Sequence, residues 1–180
     1  MPESRIPLVC AGSVHHVTVG VSDLRKSIIF YRDGLGLKKT LDTVVGGSSF
    51  SQLLRMPEGS SARSVFMQGN SRIGQVELVE WRNGEDQTAK PIRPGSPGVC
   101  VLSFSIEAKD FEPILVQLRS VGATFWSDPV ISVLDGYGEI EACIVEDPDG
   151  NAIEIVCLPS EEQVKRFRSV IQTNYKKTAI

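Results

Sequence analysis

Three side chains in this 180-residue chain have the types and the setting to do chemistry together. His16 stands in the run Val14-His15-His16-Val17-Thr18-Val19-Gly20-Val21-Ser22. Glu77 stands in Val76-Glu77-Leu78-Val79, and Glu154 in Ile153-Glu154-Ile155-Val156. Each alternates with apolar neighbours, so each run predicts a strand with one face on a core and one on something wetter. An imidazole and two carboxylates lining one concave surface are costly to desolvate unless they bind something, most simply a divalent metal ion. Two carboxylates near one another would also split their pKa values, leaving one as a base near neutral pH. His16, Glu77 and Glu154 are therefore the candidate metal ligands, and Glu77 and Glu154 the candidate catalytic groups. Thr18, Gln75 and Ser103 have the same parity on their predicted strands and read as substrate hydrogen-bonding residues. Phe66, with Phe50 and Leu54, is a candidate apolar contact for a substrate. His15 has the opposite parity to His16 and reads as structural.

The elements that must position these residues follow from periodicity. Val14–Ser22 predicts the first strand, with Val17, Val19 and Val21 on its apolar face. Ser22 reads as a helix N-cap, and Leu24, Ser27, Ile28 and Tyr31 recur at helical spacing until Asp33-Gly34. Strands are predicted over Leu37–Val45, Ala62–Gln68 and Gly74–Trp81, with a short helix around Phe50–Leu54 before Pro57-Glu58-Gly59. Asn83–Gly98 is rich in proline and glycine and reads as a linker. The pattern then restarts. Val99–Ile106 predicts a strand and Asp110–Val121 an amphipathic helix ended by Gly122. Thr124–Val133 carries a strand interrupted at Pro129, and Tyr137–Glu146 another, on which Ile140, Ala142 and Ile144 read as the buried set. Asp147-Pro148-Asp149-Gly150 is a tight-turn signature. Ala152–Cys157 is the last strand, and Glu161–Lys177 a helical tail with a basic, solvated face.

Both halves thus run strand, helix, glycine, three strands. Their first strands start 99 − 14 = 85 residues apart, and their glutamates lie 154 − 77 = 77 apart. This is a duplicated βαβββ unit, and one unit cannot cover its own sheet. The expected organisation is an N-terminal arm over 1–12, a first module over 13–82, a linker over 83–98, a second module over 99–158 and a tail over 159–180.

Composition narrows the function classes. Nineteen Lys and Arg against 22 Asp and Glu give a net charge of −3, so no strong field draws in nucleic acid. With 41% hydrophobic and 23% charged residues the usage is that of a globular protein. Cys10, Cys100, Cys143 and Cys157 form no C-x-x-C pair, which suits a reduced, cytoplasmic protein. The start, MPESRIPLVCAGS, does not read as a signal peptide, and no apolar run approaches the ~18 residues of a membrane span. Two histidines in the whole chain mean that any metal site is carboxylate-rich.

The sequence resembles the vicinal oxygen chelate superfamily, the glyoxalase/bleomycin-resistance/extradiol-dioxygenase fold. The resemblance rests on His16-Val17-Thr18-Val19-Gly20-Val21-Ser22-Asp23-Leu24, Phe30-Tyr31, Gly34-Leu35-Gly36, Val76-Glu77-Leu78 and Asp147-Pro148-Asp149-Gly150-Asn151-Ala152-Ile153-Glu154-Ile155, and spans about residues 13–158. It implies an α+β fold in which paired βαβββ modules form a curved mixed sheet around a cavity, as a homodimer. It also implies a metal held by His16, Glu77 and Glu154. The family's fourth position falls on Val101, where a histidine is expected and valine cannot ligate. Iron dioxygenases of the family use the residues at positions 16, 101 and 154, so the dioxygenase reading loses ground. The leading expectation is a metal-assisted lyase, isomerase or epimerase that moves a proton on a small carbonyl or thioester compound. A non-catalytic small-molecule binding or resistance protein is the alternative.

Overall fold

The structure is a computed structural model, and it describes residues 10–71, 73–82, 90–135 and 137–168. The parts of the expected arm, linker and tail at 1–9, 83–89 and 169–180 lie outside the described residues. The chain is α+β, with one four-stranded and one five-stranded mixed sheet. By contacts it divides into two compact units. One holds the four-stranded sheet. The other holds the five-stranded sheet together with the helix that follows the first strand.

In the first unit, β1 (His16–Gly20), β2 (Lys38–Gly46), β3 (Ser61–Gln68) and β4 (Gln75–Trp81) lie in the order β1-β4-β3-β2. The β1–β4 pair is parallel and aligns His16 with Gln75 and Thr18 with Glu77. The β3–β4 pair is antiparallel and sets Phe66 opposite Glu77. Aligned residues share a face, so His16, Thr18, Phe66, Gln75 and Glu77 all lie on one side. Val76 and Leu78 on β4 and Val65 and Met67 on β3 form the opposite, buried side. The predicted alternation is therefore present, and burial of the apolar set fixes the register, because a slip of one residue would expose it. The short helix α2 (Ser48–Leu54) follows β2, and its Phe50 ring lies 5.9 Å from Trp81.

In the second unit, β5 (Leu102–Ile106) runs parallel to β9 (Ala152–Cys157). Next come β8 (Gly138–Glu146), then β6 (Thr124–Phe125), with β7 (Val130–Leu134) also pairing β8. The strand expected over 124–133 is thus two strands divided around Pro129, which cannot donate to a ladder. Ser103 aligns with Glu154, and Ile144 lies opposite Glu154. The set Ile140, Ala142 and Ile144 is therefore on the Glu154 face and only half-buried. The fully buried set of β8 is Cys143 and Val145, which corrects the expectation.

The helix α1 (Leu24–Ile29) is capped by Asp23, not by Ser22 as expected. Asp23 has extended backbone and its Oδ1 accepts from Lys26 N at 3.1 Å, while Ser22 N is taken by Asp149 Oδ1. The helix widens into a π-turn over Phe30–Gly34, closed by Leu35 N to Phe30 O at 3.1 Å. That turn buries Tyr31 completely. It packs on α3 (Ala108–Ser120), whose Phe111, Ile114, Leu115 and Leu118 supply a buried stripe at helical spacing. A Cβ at Gly34 would sit 3.0 Å from Val121 Cγ2 and 3.2 Å from Leu118 Cδ2, so the close approach calls for glycine. Gly122, at φ +77°, closes α3 with Ala123 N to Leu118 O and Gly122 N to Arg119 O, the Schellman pattern.

Candidate functional site

Within the first unit, His16, Thr18, Ser64, Phe66, Gln75 and Glu77 share one sheet face. Glu77 is at its centre and its side chain is 14% exposed. Thr18 Oγ1 donates to Glu77 Oε2 at 2.6 Å, and Ser64 Oγ donates to Oε1 at 2.6 Å. Both carboxylate oxygens are thereby oriented by neutral hydroxyls. Such donors fix the direction of the head group. His16 Nε2 stands 3.5 Å from Glu77 Oε2, and its ring meets Phe66 edge-on at 5.3 Å. Its other ring nitrogen, Nδ1, is 2.8 Å from Nδ1 of His15. One of these two nitrogens donates and the other accepts. Gln75 Oε1 accepts from Thr40 Oγ1 at 3.2 Å, next to the register shift between Lys39 and Leu41.

Within the second unit the pattern is reproduced in part. Ser103 Oγ donates to Glu154 Oε2 at 2.5 Å across the parallel β5–β9 pair, as Thr18 does to Glu77 across β1–β4. The registers make Thr18 and Ser103 counterparts, and Glu77 and Glu154 counterparts. His16 lies two residues before Thr18, and Val101 two before Ser103, so counting back from these pairs puts Val101, just ahead of β5, at the histidine's position.

Two residues escaped the sequence reading. Ser64 has the parity of Phe66 and could have been found from that spacing. His15 was set aside by alternation, but β1 begins only at His16, so strand parity does not govern it. The hydroxyl protons of Thr18 and Ser103 go to the glutamates, which makes these residues carboxylate supports in the geometry seen here. Within neither unit, among the described residues, do three or more His, Cys, Asp or Glu gather as a metal-holding group. The second unit has a cavity of about 690 Å³ between the π-turn, the end of α3 and the 147–150 turn. None of the predicted site residues lines it.

The family model of the Glyoxalase/Bleomycin resistance protein/Dioxygenase superfamily matches residues 13–155. The chain belongs to this superfamily. Solved glyoxalase-superfamily structures resemble it in fold at low identity. A glyoxalase family protein from Bacillus cereus has a TM-score of 0.70 at 15% identity, over 87% of this chain and 99% of that one. A glyoxylase/bleomycin resistance protein/dioxygenase domain from Frankia has a TM-score of 0.56 at 23% identity, over 83% and 100%. A variant of the fosfomycin resistance protein FosX from Listeria monocytogenes, complexed with Mn(II) and 1S,2S-dihydroxypropylphosphonic acid, has a TM-score of 0.55 at 14% identity, over 88% and 99%. No curated protein matches the chain. Among the described residues of this superfamily member, no helix is long and apolar enough to cross a membrane.

Proposed function

We propose that the protein is a metal-dependent lyase, isomerase or epimerase that transfers a proton on a small carbonyl or thioester compound. The observation that carries this is the repeated hydroxyl–glutamate pair, Thr18–Glu77 and Ser103–Glu154, at the same register of the two parallel strand pairs. A core-packing strand has no need to orient a carboxylate twice in this way. The donor chemistry, one imidazole and two carboxylates, suits a hard or borderline divalent ion. His16 and Glu77 on the first unit are its proposed ligands, and Glu154 is the proposed ligand on the second. Val101 contributes nothing, which leaves coordination positions for water and substrate oxygens. A bound ion supplies Lewis-acid stabilisation of negative charge developing on a substrate oxygen.

The chain's own residues do the rest. Glu77 or Glu154 accepts a proton from the carbon next to the carbonyl and returns it, or passes it to a neighbouring position. Thr18 and Ser103 hold those carboxylates in place. Gln75 and Phe66 are the substrate contacts on the first sheet face, one polar and one apolar. The protein acts as a cytoplasmic homodimer in this reading.

The test is solvent-deuterium incorporation, followed by proton NMR, into a panel of α-hydroxycarbonyl and acyl-thioester compounds with added Mn(II), Zn(II), Ni(II) or Co(II). Metal-dependent exchange that disappears in Glu77→Gln or Glu154→Gln is the expected result. Full exchange in both variants would remove the assignment. Val101 favours a second reading, a binding or resistance protein that uses the site without chemistry. Under that reading a compound raises the melting temperature and is recovered unchanged.

A further inference from the structure

The strand pairings carry one row of the same chemical order across each sheet. In the first unit Thr18 on β1 aligns with Glu77 on β4, Glu77 with Phe66 on β3, and Phe66 with Leu41 on β2. In the second, Ser103 on β5 aligns with Glu154 on β9, and Glu154 with Ile144 on β8. Trp126 N donates to Ile144 O at 2.9 Å, one residue beyond the pairing of Phe125 with Val145, so Trp126 extends that row. Its indole Nε1 donates to Glu146 Oε1 at 2.9 Å, and Glu146, two residues from Ile144, shares the Ile144 face. Each row therefore reads hydroxyl, carboxylate, half-buried apolar side chain, exposed apolar side chain, with Leu41 50% and Trp126 39% exposed at the ends. The rows differ at the carboxylate. Both oxygens of Glu77 accept from hydroxyls, whereas Glu154 accepts from Ser103 at Oε2 and, among the described residues, its Oε1 has no partner.

We infer that the Glu154 row is a binding site for an amphiphilic primary amine, its ammonium on Glu154 Oε1 and its apolar body laid over Ile144 against Trp126. The inference goes beyond the reaction proposed above and needs no metal ion. A half-buried carboxylate with one neutral donor still has acceptor capacity, and an ammonium supplies both the opposite charge and the N–H donors. Arg93 does not fill that role. Its Nη1 pairs with Glu146 Oε1 at 2.9 Å, and its guanidinium stands over the Trp126 ring at 5.2 Å. Beyond Glu154 the row offers aliphatic and aromatic surface, which gains by being covered. An anionic ligand would instead meet Glu154 with like charge. Neighbouring strands lie about 4.8 Å apart, so the span from β9 across β8 to β6 is about 10 Å, the reach of a ring about four carbons from the nitrogen.

The experiment titrates 4-phenylbutylamine into full-length Trp81→Phe protein in the presence of EDTA and reads the emission of Trp126, the one indole left. Butylamine carries the charge without the ring, and 4-phenylbutanol the ring with a neutral donor. The aryl amine should change the emission saturably, with a midpoint at or below about 1 mM. Butylamine and the alcohol should each bind about tenfold or more weakly, and Glu154→Gln should abolish the preference for amine over alcohol. That preference reads the charge pairing itself, which a general loosening of the sheet would not move. Ligand-observed proton NMR with the unsubstituted chain makes the same amine–alcohol comparison and covers the case in which Trp81→Phe does not fold. The site would be overturned by no saturable binding of the aryl amine in either measurement. It would equally be overturned by alcohol binding as tight as amine binding, or by a preference for the amine that survives Glu154→Gln.

Discussion

Replacing Tyr31 by phenylalanine tests how the closing turn of the second repeat is held to the π-turn of the first. Tyr31 is completely buried, and its hydroxyl donates to Asp147 Oδ2 at 3.1 Å. Asp147 is itself buried and accepts three more bonds, from Asp149 N, Asn151 N and Asn151 Nδ2. Removing one buried donor to an ionised acceptor costs about 1.5–3 kcal/mol, and the three remaining donors keep Asp147 from being orphaned. At roughly 2–4 °C per kcal/mol for a chain of this size, the melting temperature should fall by about 3–12 °C. Asp147→Ala should cost more, because it strips four donors of their acceptor and leaves the Tyr31 hydroxyl buried without a partner. In the pair Tyr31→Phe/Asp147→Ala that orphan disappears, so the costs should fall short of additive by at least about 1 kcal/mol. Chemical and thermal denaturation of the three variants measures this. pH adds an independent sign. Burial, followed by the charge of Asp147, raises the Tyr31 phenol well above its ordinary 10.0. A group whose folded pKa is raised loses its contribution as pH climbs past the unfolded value. Wild type should therefore lose stability above about pH 10 faster than Tyr31→Phe does. Tyr31→Phe within about 0.5 kcal/mol of wild type, with an unchanged alkaline limb, would refute the reasoning.

Other consequences follow from single contacts. Gly34→Ala should destabilise by about 1–3 kcal/mol, because its Cβ would press on Val121 and Leu118; urea denaturation checks it. The bonds from Arg63 and then Lys39 hold the Asp42 carboxyl well below its ordinary value. Its contribution is present above pH ~3.8 and is lost as pH falls towards the folded value. Asp42→Asn should thus cost under about 1 kcal/mol at neutral pH, screened by solvent and salt, and progressively less in acid; stability curves from pH 2 to 7 read the difference. Of the four free thiols, Cys143 is buried and burial raises its pKa, whereas Cys10 is exposed. A thiol-specific chromogenic reagent should modify Cys10 first and Cys143 only on unfolding.

The fold was largely legible in the sequence because alternation, glycine stops and the repeat all agreed. Thr18, Ser103, Glu77 and Glu154 could be placed on one kind of strand face from parity alone, and the parallel ladders put them there in matching pairs. What parity could not supply was direction between strands. Ile140, Ala142 and Ile144 looked like core, but pairing with β9 turns them to the Glu154 side. The Asp23 cap was missed because Ser22 and Asp23 are both good caps, and the choice was made by Asp149, which takes Ser22 N from far along the chain. The support of Glu77 by Ser64 is likewise a diagonal contact between strands, set by a register that no single run of residues reveals.

The central proposal is that the protein is metal-dependent, with His16 and Glu77 on the first unit and Glu154 on the second as candidate ligands. Metal content and Mn(II) electron paramagnetic resonance titration of wild type, His16→Ala, Glu77→Gln and Glu154→Gln test it most directly. The account predicts one ion per wild-type chain and a large loss of affinity in each of the three variants. A wild-type chain that takes up no divalent metal, or stoichiometric binding that survives all three substitutions, would contradict it.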